Sequence, residues 1–226
     1  MASRPFDLLS AARDFADRLN RVLNGTVCDG VRLTAVVNKY PVVDRDSVMV
    51  GYGLSGSDQT GGAFRLGIRG RSPIHCLVSY QLRPDDEGRY LTVASSVLGL
   101  FLDETANETL LHFDYERDKG DGYPEAHLQV CATSQAWEKA ISSCRSRSDR
   151  RRTLEKLHIP VGGRRLRPTL EDLVEFVISE RLVQARPGWK AVLDQERHAY
   201  AIHQMRAMIR RYPEAAAEAV REFAPS

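Results

Sequence analysis

The sequence predicts an α+β fold in which an antiparallel meander sheet of about six or seven strands is covered by an N-terminal helix and followed by a helical C-terminal third. Apolar residues recur at helical spacing in the first 23 residues, seven segments between residues 31 and 132 have strand-like patterns, and helical spacing returns after residue 132. Short turn-rich connections separate the strands. They indicate antiparallel neighbours, because parallel crossovers need about a dozen or more residues.

We expect one α+β domain over residues 1–226, with the helix and sheet in residues 1–132 and the helical part in residues 133–226. Hydrophobic residues make up 42% and charged residues 27%, which is ordinary for a soluble globular protein. The formal net charge of +2 favours no class of partner by itself. The cysteines form no C-x-x-C pair, and no apolar run matches a membrane span or a signal peptide. We therefore expect a cytoplasmic protein without membrane association.

The N-terminal helix is predicted over residues 6–23, with Ser3 as its N-cap, Pro5 in its first turn and an end at Asn24-Gly25. The strands are predicted at residues 31–40, 47–54, 63–69, 75–82, 90–102, 109–116 and 126–132. The apolar run within residues 90–102 also fits a partly helical segment, since periodicity alone does not separate the two.

In the C-terminal third, residues 158–161 (HIPV) read as a brief extended segment. Thr169 and Asp172 have the spacing of a capping box, so we expect a helix to begin there. Pro187-Gly188 breaks that helix. Two further helices are predicted, over residues 189–212 and 213–223.

Residues 108–130 concentrate more groups able to move protons or bind metal than any other stretch. Two alternating segments flank a loop rich in Gly, Asp and Pro, which predicts a hairpin. In an antiparallel pair, His112 and Asp114 share one face with His127 of the second strand. Gln129 lies on the same face.

Imidazole titrates near neutral pH, and a neighbouring carboxylate orients the ring and raises its basicity. His112 and His127 are therefore candidate catalytic acid and base residues, with Asp114 orienting them. Two histidines and an aspartate also suit a divalent metal, so a metal cofactor stays open. The structural alternative is that these are polar residues on a water-exposed sheet face, or histidines hydrogen-bonded beneath the C-terminal helices.

Two basic clusters indicate a phosphate-bearing ligand. Residues 145–152 contain five arginines and one aspartate, although such a run is also typical of a solvated loop. Arg164, Arg165 and Arg167 lie at a glycine turn before a predicted helix N-terminus, where backbone N–H groups and the helix dipole favour an anion. We predict that these three arginines bind phosphate, in nucleic acid or in another ligand.

The glycines Gly51, Gly53 and Gly56 match G-x-G-x-x-G after a predicted strand. The dinucleotide-binding fingerprint requires a helix to begin at once, and here a loop and a strand follow. We therefore assign these glycines to a turn. The chain contains no P-loop, H-E-x-x-H or serine nucleophile-elbow motif.

Four segments resemble, in the same order, those of a family of uncharacterised bacterial proteins: FDYE at 113–116, YPEAHLQV at 123–130, HIPV at 158–161 and RPTLEDLVEFVI at 167–178. The resemblance covers roughly residues 108–182. Tyr123 stands where that family has a histidine, His158 stands where it has an arginine, and the basic insertion is a further departure. The strand pair is also similar to that of small bacterial toxins, which implies a toxin–antitoxin or phage-defence setting.

Together, the residues and the resemblance lead us to expect a cytosolic protein acting on nucleic acid, with phosphodiester cleavage as its reaction. The alternative is a non-catalytic binding module, such as an antitoxin, adaptor or other partner subunit, that uses its sheet and C-terminal helices. A third hypothesis is an enzyme acting on a small phosphate-bearing metabolite.

Overall fold

The computed structural model of the chain describes residues 6–39, 46–68, 72–120, 122–142, 154–163 and 167–223. Helices pack on one face of an eight-stranded antiparallel sheet, so the α+β prediction is confirmed. Within these described ranges, no helix is both long and apolar enough to cross a membrane.

Helix α1, Leu8–Thr26, differs from its prediction at both ends. Its N-cap is Asp7, whose carboxylate accepts a hydrogen bond from the Ser10 backbone N–H at 2.9 Å, so the prediction of Ser3 as the cap was wrong. The predicted end at Asn24-Gly25 was also wrong. A Cβ at Gly25 would lie 3.1 Å from a methyl carbon of Val192, so this glycine allows a second helix to pack closely.

The strands follow in an order close to the predicted one: β1 Leu33–Val37, β2 Val48–Tyr52, β3 Ala63–Arg65, β4 His75–Pro84, β5 Leu91–Phe101, β6 Thr109–Glu116, β7 Ala126–Val130 and β8 Ile159–Pro160. Their order in the sheet is β1-β2-β4-β5-β6-β7-β8, and β3 pairs with β4. The sheet is therefore a meander with one short strand off the path, and the HIPV segment supplies the eighth strand.

The apolar run within residues 90–102, which also fitted a partly helical segment, forms strand β5. It pairs antiparallel with β4 on one edge and β6 on the other, so backbone hydrogen bonds from both neighbours hold it in the sheet. Tertiary pairing, which periodicity does not report, excludes the helical alternative.

The two faces of the sheet carry different residues. The register aligns Val78, Leu98, Phe113 and Leu128 in one row across β4 to β7. Val78 and Leu98 are buried in the core together with α1. The next row, which points to the opposite face, contains Ser79, Val97, Asp114 and His127. The candidate site therefore lies on the face opposite the core.

The described C-terminal helices are α2 Gln135–Ser142, α3 Leu170–Ser179, α4 Trp189–Arg211 and α5 Pro213–Phe223. Buried residues of α3 and α4, among them Leu173 and Leu193, complete the core. The predicted capping box is confirmed, since the Thr169 backbone N–H donates to the Asp172 carboxylate at 2.8 Å. Helix α3 ends before Pro187, and Gly188, with φ of 78°, is the N-cap of α4.

A buried carboxylate joins α1 to α4. The Glu196 side chain accepts hydrogen bonds from the Nε atoms of Arg18, at 3.0 Å, and Arg21, at 3.3 Å. Only 8% of this side chain is exposed, so its charge depends on the two arginines for compensation. This ion pair fixes where α4 lies on α1.

We expect Glu196→Ala to lower the free energy of unfolding by about 1–3 kcal/mol, because it removes two charge-assisted hydrogen bonds at a buried helix contact. Glu175→Ala is the matched control, since Glu175 pairs with Arg197 on the surface and such pairs contribute about 0–1 kcal/mol. Urea denaturation followed by circular dichroism measures both. Equal losses for the two variants would contradict the role given to Glu196.

Candidate functional site

The hairpin of β6 and β7 positions the predicted residues. His112 pairs with Gln129 and Asp114 with His127 in the antiparallel register. Residues paired in this way point to the same face, and residues two apart along one strand do so as well. The prediction that these four side chains share a face is confirmed.

Two imidazoles meet at one carboxylate oxygen. The Nε2 atom of His112 lies 3.2 Å from Oδ2 of Asp114, and the Nε2 atom of His127 lies 3.5 Å from the same oxygen. Each distance permits a charge-assisted contact when the ring nitrogen carries a proton. Asp114 therefore links the two histidines that the sequence singled out.

The surroundings of His112 favour its protonated form. Its Nε2–H donates to Oε1 of Gln129 at 2.7 Å and faces the Asp114 carboxylate. The hydrogen bond and charge of Asp114 raise the pKa of His112 above its ordinary value, against the opposing effect of burial. Its side chain is still partly exposed, so His112 can meet a substrate as an acid.

His127 occupies a more enclosed position. Only 5% of its side chain is exposed, against 29% for Asp114. Its Nδ1 lies 3.4 Å from the carbonyl oxygen of Pro124, so both ring nitrogens face oxygen acceptors. Burying a polar ring is tolerated when its nitrogens find partners. His127 is therefore better placed to orient neighbouring side chains than to contact a substrate.

His158 joins these residues and was not among the residues that the sequence singled out as a site. Strand β8 pairs with β7, so that Pro160 lies opposite His127. The ring centroids of His127 and His158 are 4.5 Å apart. We call His112, Asp114, His127 and His158 the imidazole cluster. The sequence placed HIPV in an extended segment, but no local signal indicates which strand such a short segment will join.

The environment of His158 lowers the pKa of its ring, whereas the environment of His112 raises the pKa of that residue. Partial burial, followed by the charges of His127 and Lys119, lowers the pKa of His158 below its ordinary value. Lys119 is anchored by an ion pair with Glu116 at 2.8 Å. The cluster therefore combines a histidine whose pKa is raised with one whose pKa is lowered, beside a lysine cation.

A glycine makes room for the ring of Phe101 beside His112. Gly99 lies opposite His112 in the register of β5 and β6. A Cβ at this position would lie 2.6 Å from the ring of Phe101 and 3.4 Å from Cβ of His112. The ring of Phe101 thus covers Gly99 beside the imidazole. The sequence pattern gave no indication of this contact.

Of the three arginines predicted to bind phosphate, the structure describes Arg167. Arg164, Arg165 and residues 145–152 lie outside the described residues. The Arg167 guanidinium lies over the ring of Tyr115, 4.1 Å from its centroid. Tyr115 is buried and points to the face opposite Asp114, because adjacent residues of a strand alternate. Arg167 therefore lies on the core side of the sheet and not beside the histidines.

Metal and thiol chemistry receive no support from the described side chains. Among the residues that the structure describes, no three or more His, Cys, Asp or Glu side chains form a group that could hold a metal ion. Cys131 is exposed. Desolvation and the charge of Glu155 raise its pKa and favour the thiol over the thiolate.

Comparisons of the chain with models of protein families, with curated proteins and with solved structures give no match. The chemistry of the site therefore has to be inferred from its geometry.

Asp114→Asn should lower the pKa of His112, because the amide carries no charge to stabilise the imidazolium. NMR titration of the His112 ring in the two proteins measures the change. Asp194→Asn, an exposed substitution on α4, is the control and should leave the titration of His112 where it is. An unchanged His112 titration in Asp114→Asn would contradict the contact described above.

Proposed function

We propose that this protein cleaves RNA by general acid–base catalysis at the imidazole cluster, in a toxin–antitoxin or phage-defence setting. One observation carries the proposal: the same face of the sheet holds a histidine whose pKa is raised and another whose pKa is lowered. Environments that separate the pKa values of two titratable groups suit one for the acid role and the other for the base role.

The reaction needs one proton removed and one proton supplied. His158, neutral near pH 7, takes the proton of a ribose 2′-hydroxyl, and the resulting oxygen attacks the adjacent phosphorus. The bond from phosphorus to the 5′-oxygen breaks, and His112 gives its proton to that leaving oxygen. The products are a 2′,3′-cyclic phosphate and a 5′-hydroxyl end. Proton exchange with water then restores both rings.

Asp114 and His127 hold the two reacting rings. The Asp114 carboxylate keeps the proton on His112, and its contact with His127 fixes the carboxylate in place. His127 in turn packs edge-on against His158. Because His127 is almost fully enclosed, we assign it to positioning and leave proton transfer to the more exposed histidines.

Basic residues support nucleic acid as the substrate class. Lys119 lies near enough to His158 for its charge to lower the pKa of that ring, so it can also meet a phosphate oxygen. The five arginines within residues 145–152 and the pair Arg164 and Arg165 are further candidates for contact with the RNA backbone. The toxin or defence setting rests on the resemblance in residues 108–182.

A specific observation favours a second candidate, the non-catalytic partner subunit. Helix α5 has no buried residue, and the Phe223 side chain at its end is 75% exposed. Exposed apolar residues on a helix are typical of a surface that binds another protein. Under this hypothesis the histidines stabilise the hairpin, and replacing them lowers stability without affecting any cleavage.

Purified wild-type protein should cut RNA and leave DNA of the same sequence intact, since DNA lacks the 2′-hydroxyl. His112→Ala and His158→Ala should each lower the rate of RNA cleavage by roughly 10²–10⁴-fold, the usual contribution of an acid or base. His198→Ala, an exposed histidine on α4, is the matched control. Cleavage at the wild-type rate by His112→Ala, or equal cleavage of DNA, would overturn the proposal.

The pH profile of kcat/KM for RNA cleavage should be bell-shaped. Activity rises as His158 loses its proton, at a pKa below the ordinary 6.5, and falls as His112 loses its own, at a pKa above 6.5. Asp114→Asn lowers the pKa of His112, so the alkaline limb should move to lower pH. A profile whose alkaline limb is unaffected by Asp114→Asn would exclude His112 as the acid.

A further inference from the structure

An aromatic side chain extends the imidazole cluster toward solvent. The ring centroid of Tyr123 lies 4.4 Å from that of His158, with the planes tilted by 49°. His158 in turn lies 4.5 Å from His127. Three rings therefore form a continuous row that begins at the hairpin loop and ends at the Asp114 carboxylate. Tyr123 is the exposed end of this row, with 41% of its surface accessible.

We propose that Tyr123 is a stacking platform for one nucleobase of single-stranded RNA, and that the base bound there places its neighbouring phosphodiester between His158 and His112. This inference rests on the proposed RNA cleavage and names the form of RNA that the site accepts. Aromatic side chains bind single strands in this way because every base offers a flat face for stacking.

Two glycines precede Tyr123 in the hairpin loop and face open space. Gly122, the residue before it, has φ of 84° and no atom within 4 Å of the position that a Cβ would occupy. Gly120 likewise faces open space. Gly120 and Gly122, two residues of the segment that connects β6 to β7, therefore place no side chain in the space around them.

Stacking on Tyr123 selects unpaired RNA. A base within a duplex already stacks on its neighbours, and exposing it requires breaking those contacts. An unpaired base has no such cost, and its ribose 2′-hydroxyl then lies in the same nucleotide unit as the phosphate to be attacked. Lys119, four residues before Tyr123 in the chain, supplies a cation to the same hairpin loop.

A second tyrosine serves as a control. Tyr90 is 40% exposed, nearly the same as Tyr123, but the Arg210 guanidinium lies over its ring at 3.8 Å from the centroid. One face of Tyr90 is therefore occupied by the protein itself. It also precedes β5 at the turn from β4, and none of its ring contacts involves the described members of the imidazole cluster.

The test measures binding of a fluorescent single-stranded oligonucleotide with 2′-O-methyl riboses, which has bases and phosphates but no nucleophile for cleavage. Tyr123→Ala should weaken its affinity about 5- to 150-fold, the range found when one stacking residue is removed. Tyr123→Phe should bind like the wild type because the ring is kept, and Tyr90→Ala should also bind like the wild type. Circular dichroism checks that each variant is folded.

A second probe tests the base directly. An oligonucleotide of the same length in which the nucleotides are abasic should bind the wild type as weakly as the ordinary probe binds Tyr123→Ala. A wild-type protein that binds both probes equally, or that binds neither, would overturn the platform. Equal affinity of wild type and Tyr123→Ala for the ordinary probe would do the same.

Failure of the platform and failure of the proposed cleavage are separable. If the wild type binds the probe through Tyr123 but does not cut RNA, the platform stands and the proposed reaction is wrong. If the wild type cuts RNA and Tyr123→Ala binds and cuts equally well, the reaction stands and the platform is wrong.

Discussion

The antiparallel register of β6 and β7 is the constraint on which the candidate site depends. Side chains alternate between the faces of a sheet, so a slip of one residue would move His112 and Asp114 to the core side. The same slip would move Phe113 and Tyr115 away from the core. Burial of those aromatic rings thus stabilises the arrangement that brings the histidines to the opposite face. Pairing of β6 with β5 on its other edge provides a second restraint.

The shared carboxylate of Asp114 gives the site its electrostatic character. A single acceptor oxygen lies near two imidazoles, and its hydrogen bond and charge raise the pKa of His112. His158 lies one ring further from that oxygen and near the positive charge of Lys119, so its proton is disfavoured. The pKa is therefore raised at His112 and lowered at His158 on one face of the sheet. The proposed reaction uses this difference, and the enclosed His127 contacts both Asp114 and His158.

The two faces of the sheet also divide the basic residues. Arg167 packs over Tyr115 on the core side of the sheet, three residues before α3 begins. Lys119 lies on the side of the histidines. A glycine turn and the start of a helix suggested an anion site at Arg167, but proximity in the chain did not place this arginine near the imidazoles. Adjacent strand residues point to opposite faces of the sheet, so Tyr115, which Arg167 contacts, and Asp114, which the histidines contact, lie on opposite sides. The phosphate hypothesis had expected the arginine and the histidines to act at one site.

The sequence by itself determined what depends on local pattern: the α+β class, the hairpin at residues 109–130, the shared face of His112, Asp114 and His127, and the capping box at Thr169. Helical spacing, strand alternation and capping act between residues near one another in the chain. Only the tertiary structure decided that Gly25 lies inside α1 against Val192, that Arg167 lies on the core side, and that β8 brings His158 beside His127. These contacts join residues about 30 to 170 positions apart. They depend on which surfaces pack together, and no local pattern encodes that choice.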